Sequence, residues 1–234
     1  LIDGATGELP QSTTSNLSLI ASSGRRLSGL VSDILDFSKL RHTGLELQLK
    51  PVDLRSITHV VLALSKPMAA QKNLQLIDRI PEDLPLAHAD ENRLQQILYN
   101  LIGNAIKFTT RGSVTVRVSM ANSVLQQQDS NTDEIPVPHK LSEKSQETLL
   151  IGKEKDSSQD SLSINNYLLK FEIQDTGCGI PLEEIEDLFE PFVQSKTNRG
   201  FQEGTGLGLS ISRAFARLMG GDLTLVHTAV GEGT

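Results

Sequence analysis

"DENRLQQILYNLIGNAIKFTTRGSVTVRVSM", residues 90–120, carries two periods one after the other. Leu101, Ile102, Ala105, Ile106 and Phe108 repeat at helical spacing, whereas Val114, Val116 and Val118 alternate as in a half-buried strand. A helix that leads into a strand is therefore expected, with Asp90 as N-cap, an acidic first turn at Glu91, and a strand over 113–120. Asn100, Asn104 and Lys107 fall four and three residues apart among the apolar positions, so they share one face of that helix. Two amides and an ammonium on a half-buried face call for a ligand.

The same two periods recur on both sides. Upstream, Leu45, Leu47 and Leu49 of "LELQLKPVDL" alternate with polar residues and predict a strand, followed by a helix over 52–71 and short strands over 74–80 and 85–88. Downstream, Leu169, Phe171 and Ile173 predict a strand over 167–175, then a helical turn over 182–189, a helix over 207–219 stopped by Gly220-Gly221, and a strand over 223–227. Residues 121–166 are rich in Ser, Gln, Asp, Glu and Lys and bury too little to offset their ordering, so they read as a mobile insertion holding one short apolar strand over 149–152. Helices and mixed strands in this order predict an α+β, two-layer sandwich with helices on one face of the sheet.

Ahead of it, residues 1–12 read as a turn, and a helix begins near Ser12 with Ser12, Thr13 or Thr14 as N-cap. Leu17, Ile20, Gly24, Leu27, Val31 and Ile34 are spaced by alternating threes and fours, and Leu30, Leu35, Phe37 and Leu40 widen the stripe; a helical bundle is expected, with a long surface helix folded onto its own domain as the rival. The predicted division is 1–43 for this helical element and 44–234 for the sandwich.

Composition narrows the function. A net charge of -7 disfavours nucleic-acid and anionic-membrane surfaces, and 38% hydrophobic residues suffice for a sizeable core. Cys178 is the only cysteine, which excludes an intrachain disulfide and a two-cysteine metal box, favours a cytoplasmic compartment, and reads as a small filler between glycines. No apolar run approaches the roughly 20 residues that a membrane-spanning helix needs, which leaves a membrane anchor open only for a longer parent protein. His42, His59, His88, His139 and His227 are scattered without metal-ligand spacing.

Three more segments carry chemistry. "DTGCGI", 175–180, follows a strand, so Asp175 sits at its end while Gly177 and Gly179 permit a tight turn close to a ligand. "FEPFVQ", 189–194, sets Phe189 and Phe192 around Pro191. "GTGLGLS", 204–210, brings Gly204, Gly206 and Gly208 to a helix start, where free N–H groups and the helix dipole favour an anion. It lacks the Gly-Lys-Ser/Thr ending of a P-loop.

In this order the segments resemble the ATP-binding catalytic domain of sensor histidine kinases, within the superfamily shared with DNA gyrase, heat-shock chaperone ATPases and mismatch-repair ATPases. "NLIGNAIKFT" resembles the asparagine box, "DTGCGI" and "GTGLGL" the two glycine boxes, "FEPFVQ" the phenylalanine box, and the final "GEGT" the last nucleotide-binding turn. "SGLVSDILDFSKL", 28–40, is similar to the end of the second helix of the family's dimerisation and phosphotransfer hairpin. The resemblance implies the Bergerat fold of that superfamily, with ATP and Mg²⁺ as cofactors. Asp175 would accept a hydrogen bond from the adenine amino group, with Gly177, Gly179 and Ile180 around the base and the Thr234 hydroxyl supporting the contact. Asn104 would ligate Mg²⁺, Lys107 would face the phosphates, and Gly204, Thr205, Gly206, Leu207 and Gly208 would border them. Residues 195–206 would form a lid anchored by Phe189 and Phe192.

The implied reaction moves the γ-phosphoryl group of ATP to a histidine of the same or a partner subunit, and then to a response regulator or fused receiver domain. None of the five histidines has an acidic residue after it, so the phosphoacceptor and the final strand are expected outside this chain, whose parent is expected to be a homodimer. Two rivals stand beside this reading. ATP-hydrolysing relatives place a glutamate base one turn before the magnesium asparagine, where this chain has Asn100; a degenerate docking module would bind no nucleotide.

Overall fold

The structure, a computed structural model, describes residues 7, 10–42, 45–122, 149–151, 167–194 and 204–234. Most of the expected insertion and the body of the expected lid lie outside the described residues.

The chain folds as a mixed sheet with helices layered on one face. Helix α1 spans Gln11–His42, and a two-stranded ladder pairs β1, Lys50–Val52, with β3, Ala87–Ala89. Between them run α2, Leu54–Gln71, and β2, Gln75–Arg79. Then come α3, Glu91–Phe108, β4, Ser113–Asn122, β5, Leu149–Ile151, β6, Tyr167–Asp175, the single turn α4, Leu182–Ile185, and α5, Gly208–Leu218. The sheet order is β2-β4-β6-β5, with β2 parallel to β4 and the other pairs antiparallel.

The core follows from the two periods. Leu94, Ile97, Leu98, Ile102, Ala105 and Ile106 form the buried stripe of α3, and it rests on the sheet face made by Val114, Val116, Val118, Leu169 and Phe171. The registers Val116↔Ile173 and Val118↔Phe171 put these side chains opposite one another. The other sheet face is ionic, with Glu172 2.8 Å from Lys170 and 3.4 Å from Arg117. Asp90 caps α3 as expected, accepting the amides of Asn92 and Arg93 at 3.1 and 3.2 Å. Asp53 does the same for α2.

Three expectations change. Residues 45–49 form no strand: Leu45 and Leu47 pack on the core, but the Gln48 N–H goes to the second oxygen of Asp90 at 2.9 Å instead of to a ladder. The segment 223–227 is also without strand pairing, and only the bridge Ala229↔Gly233 closes the turn behind it. Helix α1 starts one residue earlier than expected, where Pro10 O accepts the Thr13 and Thr14 amides at 2.9 and 3.1 Å. By contrast, Gly220 at φ +83° and the Gly221 N–H bonded to Ala216 O end α5 as the sequence implied.

Helix α1 meets the rest of the chain along one face and leaves the other bare. The stripe residues Ile20, Leu27, Val31 and Ile34 are exposed, and so is Leu35. The docked face instead carries Asp36, 5% exposed, whose oxygens both lie 3.1 Å from an Arg93 nitrogen and one of which accepts Gln96 Nε2 at 2.9 Å. Arg93 in turn stacks over Phe215 of α5, 4.6 Å from the ring centre. Among the described residues no helix is long and apolar enough to cross a membrane.

Candidate nucleotide site

The C-terminal end of β6, the two flanking turns and the polar face of α3 meet at one edge of the sheet. Asp175 closes β6 opposite Val114, and its Oδ1 accepts the Gly177 N–H at 2.7 Å. Its own N–H donates to Thr234 O at 2.8 Å, which joins the first glycine turn to the last. Burial pushes the Asp175 carboxyl above its usual range, against the opposing pull of the hydrogen bond from the Gly177 amide and of the nearby Thr234 amide and Thr109 hydroxyl. A half-buried acceptor held at a rigid strand end suits recognition of a donor on a flat ring.

The glycines here are fixed by close backbone approach. A methyl group on Gly177 would stand 2.6 Å from Phe108 O, the end of α3. On Gly179, at φ +68°, it would strike Ala229 O, and on Gly233, at φ +114°, Asp175 O. Gly179 therefore seats the closing turn as well. Ile180 donates its N–H to Thr228 Oγ1 at 2.7 Å.

The second glycine segment sits against α3 and the phenylalanine box. Gly208 packs on the Asn100 side-chain amide, whose Nδ2 donates to Ser212 Oγ at 2.9 Å. Asn100 thus ties α3 to the first turns of α5, a contact that only a residue without a side chain at 208 admits. Gly206, at φ +71°, accepts the Phe192 N–H at 2.9 Å, and a methyl group on it would meet the Phe192 and Val193 backbone at 2.7 Å. Leu207 is fully buried and its N–H is held by Thr205 Oγ1 at 3.0 Å. A methyl on Gly204 would lie 3.6 Å from Lys107 Nζ, so the loop passes over the Lys107 ammonium.

Asn104 and Lys107 stand half-buried on the same face of α3 as Asn100. Among the described residues the Asn104 amide makes no hydrogen bond, unlike that of Asn100. Its oxygen is a hard donor of the kind Mg²⁺ accepts, and among the described residues no group of three or more His, Cys, Asp and Glu could hold a metal alone. The donor set fits a magnesium ion held chiefly by phosphate oxygens.

The phenylalanine box contacts α1. Phe192, at φ +66°, meets Phe37 edge to face at 5.5 Å, and Thr205 Oγ1 donates to Asp33 Oδ2 at 3.1 Å. Burial raises the Asp33 carboxyl; the Thr205 hydrogen bond lowers it and the nearby Asp36 charge adds to the rise. Phe189 lies under the Arg213 guanidinium, 4.6 Å from its ring centre, and packs on the core.

Four residues at this edge escaped the sequence reading. Lys72 Nζ donates to the carbonyls of Ile106, Lys107 and Thr109 at 2.9, 2.6 and 3.2 Å, capping the end of α3 that bears Lys107. Thr109, fully buried, faces Asp175, and Ser212 holds Asn100. Thr228 opens "TAVGEGT", a segment with a threonine at each end, and that symmetry was the signal available for it.

Residues 153–234 match the family described as histidine kinase-, DNA gyrase B-, and HSP90-like ATPase. Probable histidine kinase 3 of Oryza sativa subsp. indica is 34% identical over 215 residues, which cover 86% of this chain and 21% of that protein. Full-length ShkA in complex with AMPPNP superposes with a TM-score of 0.63 at 27% identity over 98% of this chain and 39% of that one. The Acinetobacter baumannii histidine kinase AdeS shares the fold, with a TM-score of 0.53 at 23% identity over 92% of this chain and 76% of that one. The chain spans about a fifth of the length of the curated relatives it matches. With its asparagine helix, paired glycine turns and closing turn gathered at one end of the sheet, the chain carries an ATP-binding catalytic domain of the histidine-kinase type.

Proposed function

We propose that residues 44–234 bind ATP with Mg²⁺ and supply the catalytic half of a histidine autokinase, and that 1–43 end the dimerisation and phosphotransfer hairpin. The observation that carries this is the meeting of two unlike ends in one site: a half-buried carboxylate at a strand end, and a glycine segment that opens a helix beside an ammonium. Asp175 accepts from the adenine amino group, flanked by Gly177, Gly179, Ile180 and Thr234. Lys107 attracts the phosphates as a point charge, and the turn 204–208 offers N–H groups where α5 begins. Asn104 ligates the magnesium ion, which when bound neutralises charge on the phosphate oxygens. AMPPNP, an analogue of ATP, occupies the related ShkA, which supports the same ligand class here.

The γ-phosphoryl acceptor is a histidine beyond the five in this chain, on the same or a partner subunit, and the phosphoryl group passes on to a response regulator. Asn100 bears on where the phosphoryl group goes. Its amide is bonded to Ser212 and packed against Gly208, and it has no proton-accepting power toward water. Slow hydrolysis follows. The exposed stripe Ile20, Leu27, Val31 and Ile34 supports a homodimer built on α1.

Calorimetric titration of the 234-residue chain with ATP and Mg²⁺ tests the reading. Saturable binding that weakens in Asp175→Ala is expected, and a titration without heat would favour a docking module. Incubation with γ-labelled ATP is expected to leave no acid-labile, base-stable label on this chain.

A further inference from the structure

We infer that Thr228 is a positioning residue that sets the hydrogen-bond polarity of the Thr234 hydroxyl, and through it the choice of adenine over guanine. This rests on the assignment of Asp175 and Thr234 to the adenine end of the site. A threonine hydroxyl has one proton to give and two lone pairs. In Thr228 one lone pair is taken by the Ile180 N–H at 2.7 Å. Two atoms face what remains: Gly233 O at 3.2 Å, which can only accept, and Thr234 Oγ1 at 3.1 Å, which can do either.

The two arrangements give opposite sites. If the Thr228 proton goes to Gly233 O, Thr234 must spend its own proton on Thr228 and turns lone pairs toward the ligand. If it goes to Thr234 Oγ1, the Thr234 proton is released to point outward. Gly233 O already accepts the Ala229 N–H at 3.1 Å, so it does not need Thr228, whereas Thr234 Oγ1 is the shorter contact. The second arrangement is favoured, and Thr234 is a donor.

A donor beside the Asp175 acceptor reads one purine edge. Adenine presents its amino hydrogens to the acceptor and its ring N1 lone pair to the donor, while guanine offers an acceptor O6 and a protonated N1, mismatched at both points. The Asp175 N–H bound to Thr234 O at 2.8 Å keeps the two groups side by side. Thr228 touches no base in this scheme; it acts through its neighbour.

The test compares Mg²⁺-ATP and Mg²⁺-GTP affinities of the unsubstituted chain, Thr228→Val and Thr228→Ser, with thermal melting to follow the fold. Thr228→Val, which keeps the shape and removes the hydroxyl, should weaken ATP about 10-fold, equivalent to about 1.4 kcal/mol, while GTP changes little. The preference for ATP shrinks. Thr228→Ser should restore it, and Thr234→Val should add little once Thr228→Val is present. Equal losses for both nucleotides would reveal simple structural support and overturn the inference, as would an unchanged ATP-to-GTP ratio. If the unsubstituted chain binds no ATP, the nucleotide reading itself fails and this inference falls with it.

Discussion

The two ends of the site are held by different means. At the strand end, Asp175, Gly177, Gly179 and Gly233 are locked to one another and to Phe108 and Ala229 by main-chain contacts within the sandwich. At the glycine segment that opens α5, Thr205 and Phe192 are held by side chains of α1, a helix more than a hundred residues earlier in the chain. Main-chain contact tolerates no substitution, because every side chain there adds atoms to a full space. Side-chain contact can be weakened by degrees. The base end is therefore the fixed part of the site, and the phosphate end takes its position partly from α1.

The sharpest break of that contrast is Gly233→Val. It adds a side chain at positive φ against Asp175 O and should cost roughly 4 kcal/mol, by the sum of backbone strain and overpacking. Urea unfolding reads the loss, and an unshifted midpoint would mean that the closing turn yields easily. Next, Asp36→Ala strands the mostly buried Arg93 and should weaken α1 docking by about 3 kcal/mol. Amide exchange should then speed up in α1 while α3 keeps its protection; equal acceleration in both would show that α1 is part of one cooperative unit.

Asp175→Asn separates stability from binding. A carboxyl whose folded pKa lies above its unfolded value binds more protons in the native state, so the wild-type chain loses stability as pH rises through that interval. The variant should therefore melt higher than wild type at pH 7, with the gap closing as pH falls toward about 4, the ordinary aspartate pKa. Its ATP affinity should fall about 10-fold, close to 1.4 kcal/mol. The smallest expected effect is Phe37→Ala, about 1 kcal/mol from an edge-to-face pair, again confined to α1 docking. Combined with Thr205→Val in a double-mutant cycle, it shows whether the two α1 contacts on the phosphate end act together.

The elements were legible wherever local chemistry decides them. Asp90 announced α3, and three alternating valines announced β4. What escaped was decided by partners distant in sequence. The alternation is matched by burial at Leu45 and Leu47 but not at the exposed Leu49, and Asp90 takes the Gln48 N–H that a ladder would have used. Asp36 reads as a polar interruption of the α1 stripe, and only Arg93 and Gln96 explain its burial. In the same way the sequence marked Asn100 as a site residue, and the structure gives its amide to Ser212. Thr228 and Lys72 stand outside every recognised motif because they act on the backbone of residues inside one.

The register of β4 and β6 carries one further consequence. Asn122 lies directly across from Tyr167, so whatever chain joins the strands begins and ends about 5 Å apart. The entropy of closing such a connection grows only with the logarithm of its length, and doubling or halving it shifts stability by about 0.6 kcal/mol. In engineering terms this is a splice point for added chain: an insert of very different length can be seated in the connection with little change in the stability of the sheet, provided that Leu149–Ile151 keep their pairing with β6.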